Sequence, residues 1–208
     1  MWMSESTVRQ QYNELASVYD RRWQHYIAKM LRFLKQWAMI PAEARVLDLA
    51  CGTGEFERLL LQDSPDQLIT GIDISEQMLA IAHQKLKPYP NVSLQLATAS
   101  DLPFADRSFD VIVSANSFHY FDNPELALKE IKRVVTPGGR VVILDWCKDY
   151  FVCRVCDALL QRFDPAHQQC YTQAEFHHSL NATGFKIQQA TKGRFGLIWG
   201  LMVVTAVP

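Results

Sequence analysis

Between residues 45 and 145 the chain alternates short runs of Val, Ile and Leu with stretches of helical periodicity, and this alternation limits the fold more than any other feature. The runs are Arg45–Ala50 (RVLDLA), Gln67–Asp73 (QLITGID), Val92–Ala97, Phe109–Ala115 (FDVIVSA) and Arg140–Asp145 (RVVILD). Helices are expected between them over Glu55–Gln62, over Ser75–Lys87 with Ser75 as N-cap, and over Pro124–Val135, the last closed by Pro137-Gly138-Gly139. Apolar strands separated by helices make βαβ units around a buried parallel sheet. With 49% hydrophobic residues in 208, the chain has enough apolar material to cover both faces of such a sheet.

The flanks read differently. Residues 5–40 carry Leu15, Val18, Tyr19, Trp23, Tyr26, Ile27, Met30, Leu31, Leu34 and Trp37 at three- and four-residue spacing, a helix ended by Pro41. Residues 148–183 look helical with a break at Asp164-Pro165. Gly184–Gln189 and Phe195–Val204 then read as two strands of a hairpin turning at Lys192-Gly193-Arg194. No linker divides the chain. One domain is expected over 1–208, with a helical lid (1–40), a ligand-binding core (41–145) and substrate-side helices plus hairpin (146–208).

Lys and Arg total 21 against 22 Asp and Glu, so there is no basic surplus of the kind a nucleic-acid binder shows. The N-terminus lacks a signal-peptide core, and the longest apolar run, Phe195 to Val204, is about half of what a bilayer span needs. Stable membrane insertion is not expected. The odd number of cysteines, 5, suits free thiols in a reducing cytoplasm.

The sharpest chemistry lies in Val46–Phe56, VLDLACGTGEF: a strand, a glycine turn and a helix start. Gly52 and Gly54 allow close approach of a ligand to the backbone, and the helix N-terminus behind them favours a negative group. A dinucleotide fits poorly. The third glycine of that fingerprint falls on Glu57, and Asp48 and Glu55 would repel a pyrophosphate. No Gly-Lys-Ser/Thr follows, which excludes a P-loop. A ligand bearing an ammonium and a sulfonium, with one carboxylate, meets these charges, and S-adenosylmethionine is such a ligand.

VLDLACGTGEF resembles the first motif of class I S-adenosylmethionine-dependent methyltransferases, and further motifs follow in the family's order. The resemblance covers residues 12–145 well, and its tone is that of the small-molecule branch that includes ubiquinone/menaquinone-biosynthesis methyltransferases. It implies a Rossmann-like, doubly wound α/β fold: seven mostly parallel strands with a C-terminal antiparallel hairpin, helices on both faces and an N-terminal helical lid. It also implies S-adenosylmethionine as cofactor, with Asp73 on the ribose hydroxyls, Ile74 and Met78 against the adenine, and Asp101, in Ser100-Asp101-Leu102, on the adenine amino group. Asp48, Ala50, Cys51, Gly52, Gly54, Ser100, Leu102, Asn116 and the lid residue Tyr19 complete the expected cofactor contacts.

Methyl transfer needs alignment more than a fixed catalytic constellation. Candidates for the acceptor side sit after strands four and five: Asn116, Ser117, His119 and Tyr120, then Asp145 and Trp146. His119 is the first choice for a general base, because imidazole titrates near neutrality, and Tyr19 is a second catalytic candidate. No Asn/Asp-Pro-Pro-Tyr/Phe follows strand four, which lowers planar nitrogens of nucleic acid or protein as acceptors. The expected partner is a small, apolar or aromatic methyl acceptor. Cys147, Cys153 and Cys156 read as packing residues, and no metal site is expected. The competing readings are an arsenite methyltransferase using those three thiols and a cofactor-binding module without turnover.

Overall fold

The computed structural model describes residues 5–164, 166–195 and 199–208. Its elements are α1 (Glu5–Ala38), β1 (Val46–Leu49), α2 (Glu55–Leu61), β2 (Ile69–Asp73), α3 (Glu76–Leu86), β3 (Val92–Leu96), β4 (Phe109–Ala115), α4 (Pro124–Val134), β5 (Val135–Trp146), α5 (Phe151–Phe163), α6 (Gln173–Ala182), β6 (Lys186–Phe195) and β7 (Trp199–Val207). They build one seven-stranded sheet in the order β3-β2-β1-β4-β5-β7-β6. The pairs among β1 to β5 are parallel, and β7 lies antiparallel between β5 and β6. This is the expected Rossmann-like sheet with its C-terminal hairpin.

Period-two alternation divides each central strand between two cores. Leu47, Leu49, Ile112 and Ile143 pack with Leu128 and Ile131 of α4 and Phe176 and Leu180 of α6. Val46, Val111, Val113, Val142 and Leu144 pack on the other face with Leu34 of α1, Phe56 and Leu60 of α2, and Ala82 and Leu86 of α3. Ser75 caps α3 as expected, its hydroxyl accepting from Met78 N at 3.1 Å.

Two local expectations change. Pro137-Gly138-Gly139 does not separate helix from strand: β5 starts at Val135, which pairs with Phe109, and Arg140 then pairs with Val111. The residues between are extra to the ladder, a bulge of the kind that parallel pairing tolerates at a strand end. Gly139 sits where a Cβ would meet Asp110 O at 2.7 Å. Nor do Lys192-Gly193-Arg194 form the hairpin turn. They are paired strand residues, facing Met202, Leu201 and Gly200. The strand expected over Phe195–Val204 includes residues 196–198, which lie outside the described residues. Among the described residues no helix is long and apolar enough to cross a membrane.

Candidate active site

The turn after β1 is built on unusual backbone. Ala50, Gly52 and Gly54 have φ of 59°, 56° and 80°. Such angles are strained for alanine, and strain of this kind collects at ligand sites. Gly54 has a second reason to be glycine, since a Cβ there would meet Leu86 Cδ1 at 2.8 Å and hold α2 off α3. Asp73, buried at the end of β2, fixes the loop: its carboxylate accepts from Gly52 N at 2.9 Å and Ser75 N at 2.8 Å. Burial pushes its pKa up while these amides pull it back.

Two cavities meet here. A narrow cleft of about 90 Å³ is lined by Asp73, Ile74, Met78, Thr98 and Ala99 among others. A larger one, about 550 Å³, is lined by Asp48, Cys51, Trp23, His119, Trp146 and Trp199 among others. Tyr12, Tyr19, Ala50, Gly52, Asn116 and Tyr120 border both. Gly54, Ser100, Asp101 and Leu102 line neither. Asp101 is exposed and bridges to Thr98, and Leu102 is buried in the core with its amide on Glu130 Oε2 at 3.0 Å. Of the residues just before Asp101, Ala97, Thr98 and Ala99 line the narrow cleft.

The acids flanking the loop differ from one another. Glu55 is occupied by Lys85 at 2.6 Å and Arg58 at 2.7 Å, so its charge is neutralised inside the protein. Glu57 is wholly buried, with neither carboxyl oxygen in a hydrogen bond among the described residues. Gly71 on β2 makes room for it, since a Cβ there would meet Glu57 Oε1 at 2.7 Å. Burial pushes Glu57 up to about 7, and burial and the neighbouring Glu57 carboxylate raise Asp48. A side chain too large for dinucleotide packing is thus accommodated behind the loop as an acid whose ionisation burial disfavours. Thr53 does not cap α2. Its hydroxyl donates to Asp20 of α1 at 2.6 Å, and Asp20 also holds Lys85 at 2.5 Å.

After β4 the chain makes a short 3₁₀ turn, Phe118–Tyr120. It starts from Asn116, whose φ of 51° is a second strained position on the cavity wall. Asn116 Nδ2 donates to Tyr26 Oη at 3.1 Å, while its buried Oδ1 has no partner among the described residues. The turn delivers His119 to Asp145 at the end of β5, with Nδ1 and Oδ1 2.5 Å apart and His119 N donating to Asp145 Oδ2 at 3.1 Å. Trp146 stacks on the imidazole, centroids 4.6 Å apart, and His119 Nε2 is buried and unpartnered among the described residues. Sequence reasoning had His119 and Asp145 as separate strand-end candidates; only register between β4 and β5 makes them a dyad. Burial raises the phenols of Tyr12, Tyr19 and Tyr120, the last to about 12, so all three border the site as neutral phenols.

The three thiols do not converge. Cys147 donates to Asp149, Cys153 is buried against Gly200 backbone, and Cys156 is half-exposed. The cluster with metal-ligand geometry is a different one: Asp157, His167 and Cys170, whose ligand atoms lie within 4.8 Å of one another. Its carboxylate is already taken by Lys148 at 2.9 Å, His167 Nε2 at 2.8 Å and Cys170 N at 2.7 Å. The carboxylate is satisfied without an ion, while His167 Nδ1 is buried with no partner among the described residues.

The residues present suit S-adenosylmethionine: an acid fixed at the end of β2, a glycine cradle, apolar Ile74 and Met78, and a buried amide oxygen on Asn116 still lacking a donor. Comparison with known proteins agrees. Residues 47–143 match a family model described as a methyltransferase domain. Over 137 residues the chain is 35% identical to the ubiquinone/menaquinone biosynthesis C-methyltransferase of Geotalea daltonii, covering 64% of this chain and 55% of that one. Over 158 residues it is 33% identical to the demethylmenaquinone methyltransferase of Symbiobacterium thermophilum, covering 70% and 61%. The chain therefore spans little more than half the length of these curated relatives. A solved methyltransferase of Thermotoga maritima superposes with a TM-score of 0.75 at 21% identity, over 96% of this chain and 98% of that one, which establishes the fold. Over residues 47–143 the chain is thus similar to methyltransferase domains, on a fold that these enzymes share. Over the matched segments its sequence is similar to a ubiquinone/menaquinone biosynthesis C-methyltransferase and to demethylmenaquinone methyltransferases.

Proposed function

We propose that this chain methylates a small, apolar or aromatic molecule held in the larger cavity, with His119 as general base. The observation that carries this reading is the His119–Asp145 pair, buried beside the junction of the two cavities. Asp145 accepts from Nδ1–H, which leaves Nε2 with its lone pair, the tautomer a base requires. Bound in the cleft, S-adenosylmethionine supplies an electrophilic methyl group. Asp73, Ile74 and Met78 would hold its adenosine part, and Asn116 and the Ala50–Gly52 backbone its amino-acid part. Tyr12, Tyr19 and Tyr120 close the junction, and their neutral phenols orient an acceptor by donating hydrogen bonds. His119 Nε2 takes the proton that a hydroxyl or an acidic carbon must lose on methylation.

Leu15, Trp23, Tyr26, Ile27, Trp146 and Trp199 support an apolar or aromatic acceptor. Because one of the relatives is named for C-methyl transfer, activated carbon is the first acceptor atom to test and a phenolic oxygen the second. The test is transfer of labelled methyl groups to a panel of both classes, paired with titration of S-adenosylhomocysteine. Turnover lost in His119→Gln with product affinity intact supports the reading. Undiminished turnover in that variant overturns the base role, and absence of product binding overturns the whole assignment.

A further inference from the structure

We propose that α5 is a membrane-docking helix that seats the mouth of the larger cavity on an anionic lipid surface. The helix is unusually bare. Of its thirteen residues only Cys153 and Asp157 are buried, while Phe151 is 77%, Val155 43%, Leu159 53% and Phe163 74% exposed. These four recur every fourth residue. At 100° per residue they and Val152 fall within an arc of about 120° on one side of the helix. Large exposed apolar side chains ordinarily occur singly, and a contiguous stripe marks an interaction surface.

Charge selects the occupant. The exposed charges of α5 are Arg154 and Arg162, and its one acid, Asp157, is buried on Lys148 and His167. Neither arginine has an ion-pair partner among the described residues. On α1, Arg22 lies over the ring of Trp23, 5.3 Å from its centroid, and both border the cavity. An apolar stripe with Arg162 within its arc, Arg154 beyond its Phe151 edge and donating to Lys148 O at 3.0 Å, and a Trp and Arg nearby, suits the headgroup boundary of an anionic bilayer, where aromatic and aliphatic groups enter the acyl region and guanidinium groups meet phosphates.

The position of the stripe gives docking a consequence. Continuing round the helix past Cys156, the next side chain is Leu160, which lines the cavity. One continuous apolar surface therefore leads from the docking face to the cavity that holds His119. An apolar molecule could pass from lipid to the site along α5 without crossing water. The docking itself does not rest on the methyl-transfer reading, which the test keeps separate.

The test is sedimentation of the full chain with vesicles of phosphatidylcholine alone and of phosphatidylcholine with phosphatidylglycerol. Measurements of molecular mass and of S-adenosylhomocysteine affinity accompany it for every variant. The chain is expected to partition onto the phosphatidylglycerol vesicles and to leave them at high salt. Arg154→Gln/Arg162→Gln lowers that partitioning roughly 30-fold and Phe151→Ser/Phe163→Ser at least about ten-fold, with product affinity unchanged in both. No binding to anionic vesicles by folded protein, or equal binding by both double variants, overturns the proposal. So does a dimer in solution that the Phe151→Ser/Phe163→Ser variant dissociates, because the stripe is then an interface between copies.

Discussion

The cofactor cleft and the acceptor cavity share a wall yet are made in opposite ways. The floor of the cleft is assembled from consecutive strand ends, with α1 and the turn after β4 closing it, and its key contacts, Asp73 to Gly52 and Ser75, join neighbours across β1 and β2. The cavity is assembled from α1, the turn after β4, the end of β5 and α5, with its central pair 26 residues apart. The cleft is therefore a local device that a motif can encode. The cavity is a meeting of distant segments, free to vary without disturbing the sheet. Cofactor binding and acceptor chemistry should separate under mutation.

The largest separation is expected at Asp73. Asp73→Ala removes the acceptor for two backbone amides and the proposed acceptor for the ligand's ribose, so S-adenosylhomocysteine affinity should fall by about 100-fold or more in calorimetry. An affinity within a few-fold of wild type would show that the loop holds the cofactor without its acid. The mirror image is His119→Gln and Asp145→Asn. Product affinity should stay within about threefold, while single-turnover methyl transfer slows by about 10² to 10⁴. Equal losses in affinity and rate would dissolve the distinction between the two regions.

Legibility followed the same division. The glycine turn and all five parallel strands could be read from spacing, and Asp73, Ile74 and Met78 from the family resemblance, because each depends on residues close in the chain. Asp101 was read from the same kind of local motif, and the structure places it on an exposed turn bridged to Thr98, outside the lining of the cleft that Thr98 and Ala99 border. Lys192-Gly193-Arg194 looked like a turn because glycine between charges usually is one, and the partner strand overrode that propensity. The His119–Asp145 pair, the Asp157 hub and the space that Gly71 leaves for Glu57 depend on sheet register and packing, which no single segment reveals.

Glu57 tests whether the cleft's back wall is tuned by a buried acid. Its pKa is raised from 4.5 to about 7 by burial. Below about pH 4.5 both folded and unfolded chains carry the proton, and there is no penalty. As pH rises toward about 7 the unfolded chain ionises first, so stability falls across that window. Glu57→Gln removes the proton and should flatten the fall by about 1–3 kcal/mol in urea titrations at pH 5 and pH 8. An unchanged pH slope would mean that Asp48 alone carries the effect.

The smallest expected effect bears on how the two regions are joined. Asn13 of α1 accepts from Ser75 Oγ at 2.6 Å and Gln77 N at 3.2 Å, and donates to Glu76 at 3.1 Å. It thus adds a second cap to α3 from a helix that also borders both cavities through Tyr12 and Tyr19. Asn13→Ala should cost about 1 kcal/mol in global stability, the size of one lost cap. Its kinetic signature should be clearer than its thermodynamic one. With the N-terminal half of α1 held less tightly, S-adenosylhomocysteine should dissociate several-fold faster in stopped flow while amide protection of residues 8–20 falls and that of β1 and β4 does not. If protection falls across the sheet as well, α1 is part of the core rather than a cover over it, and the cleft and the cavity are one cooperative unit.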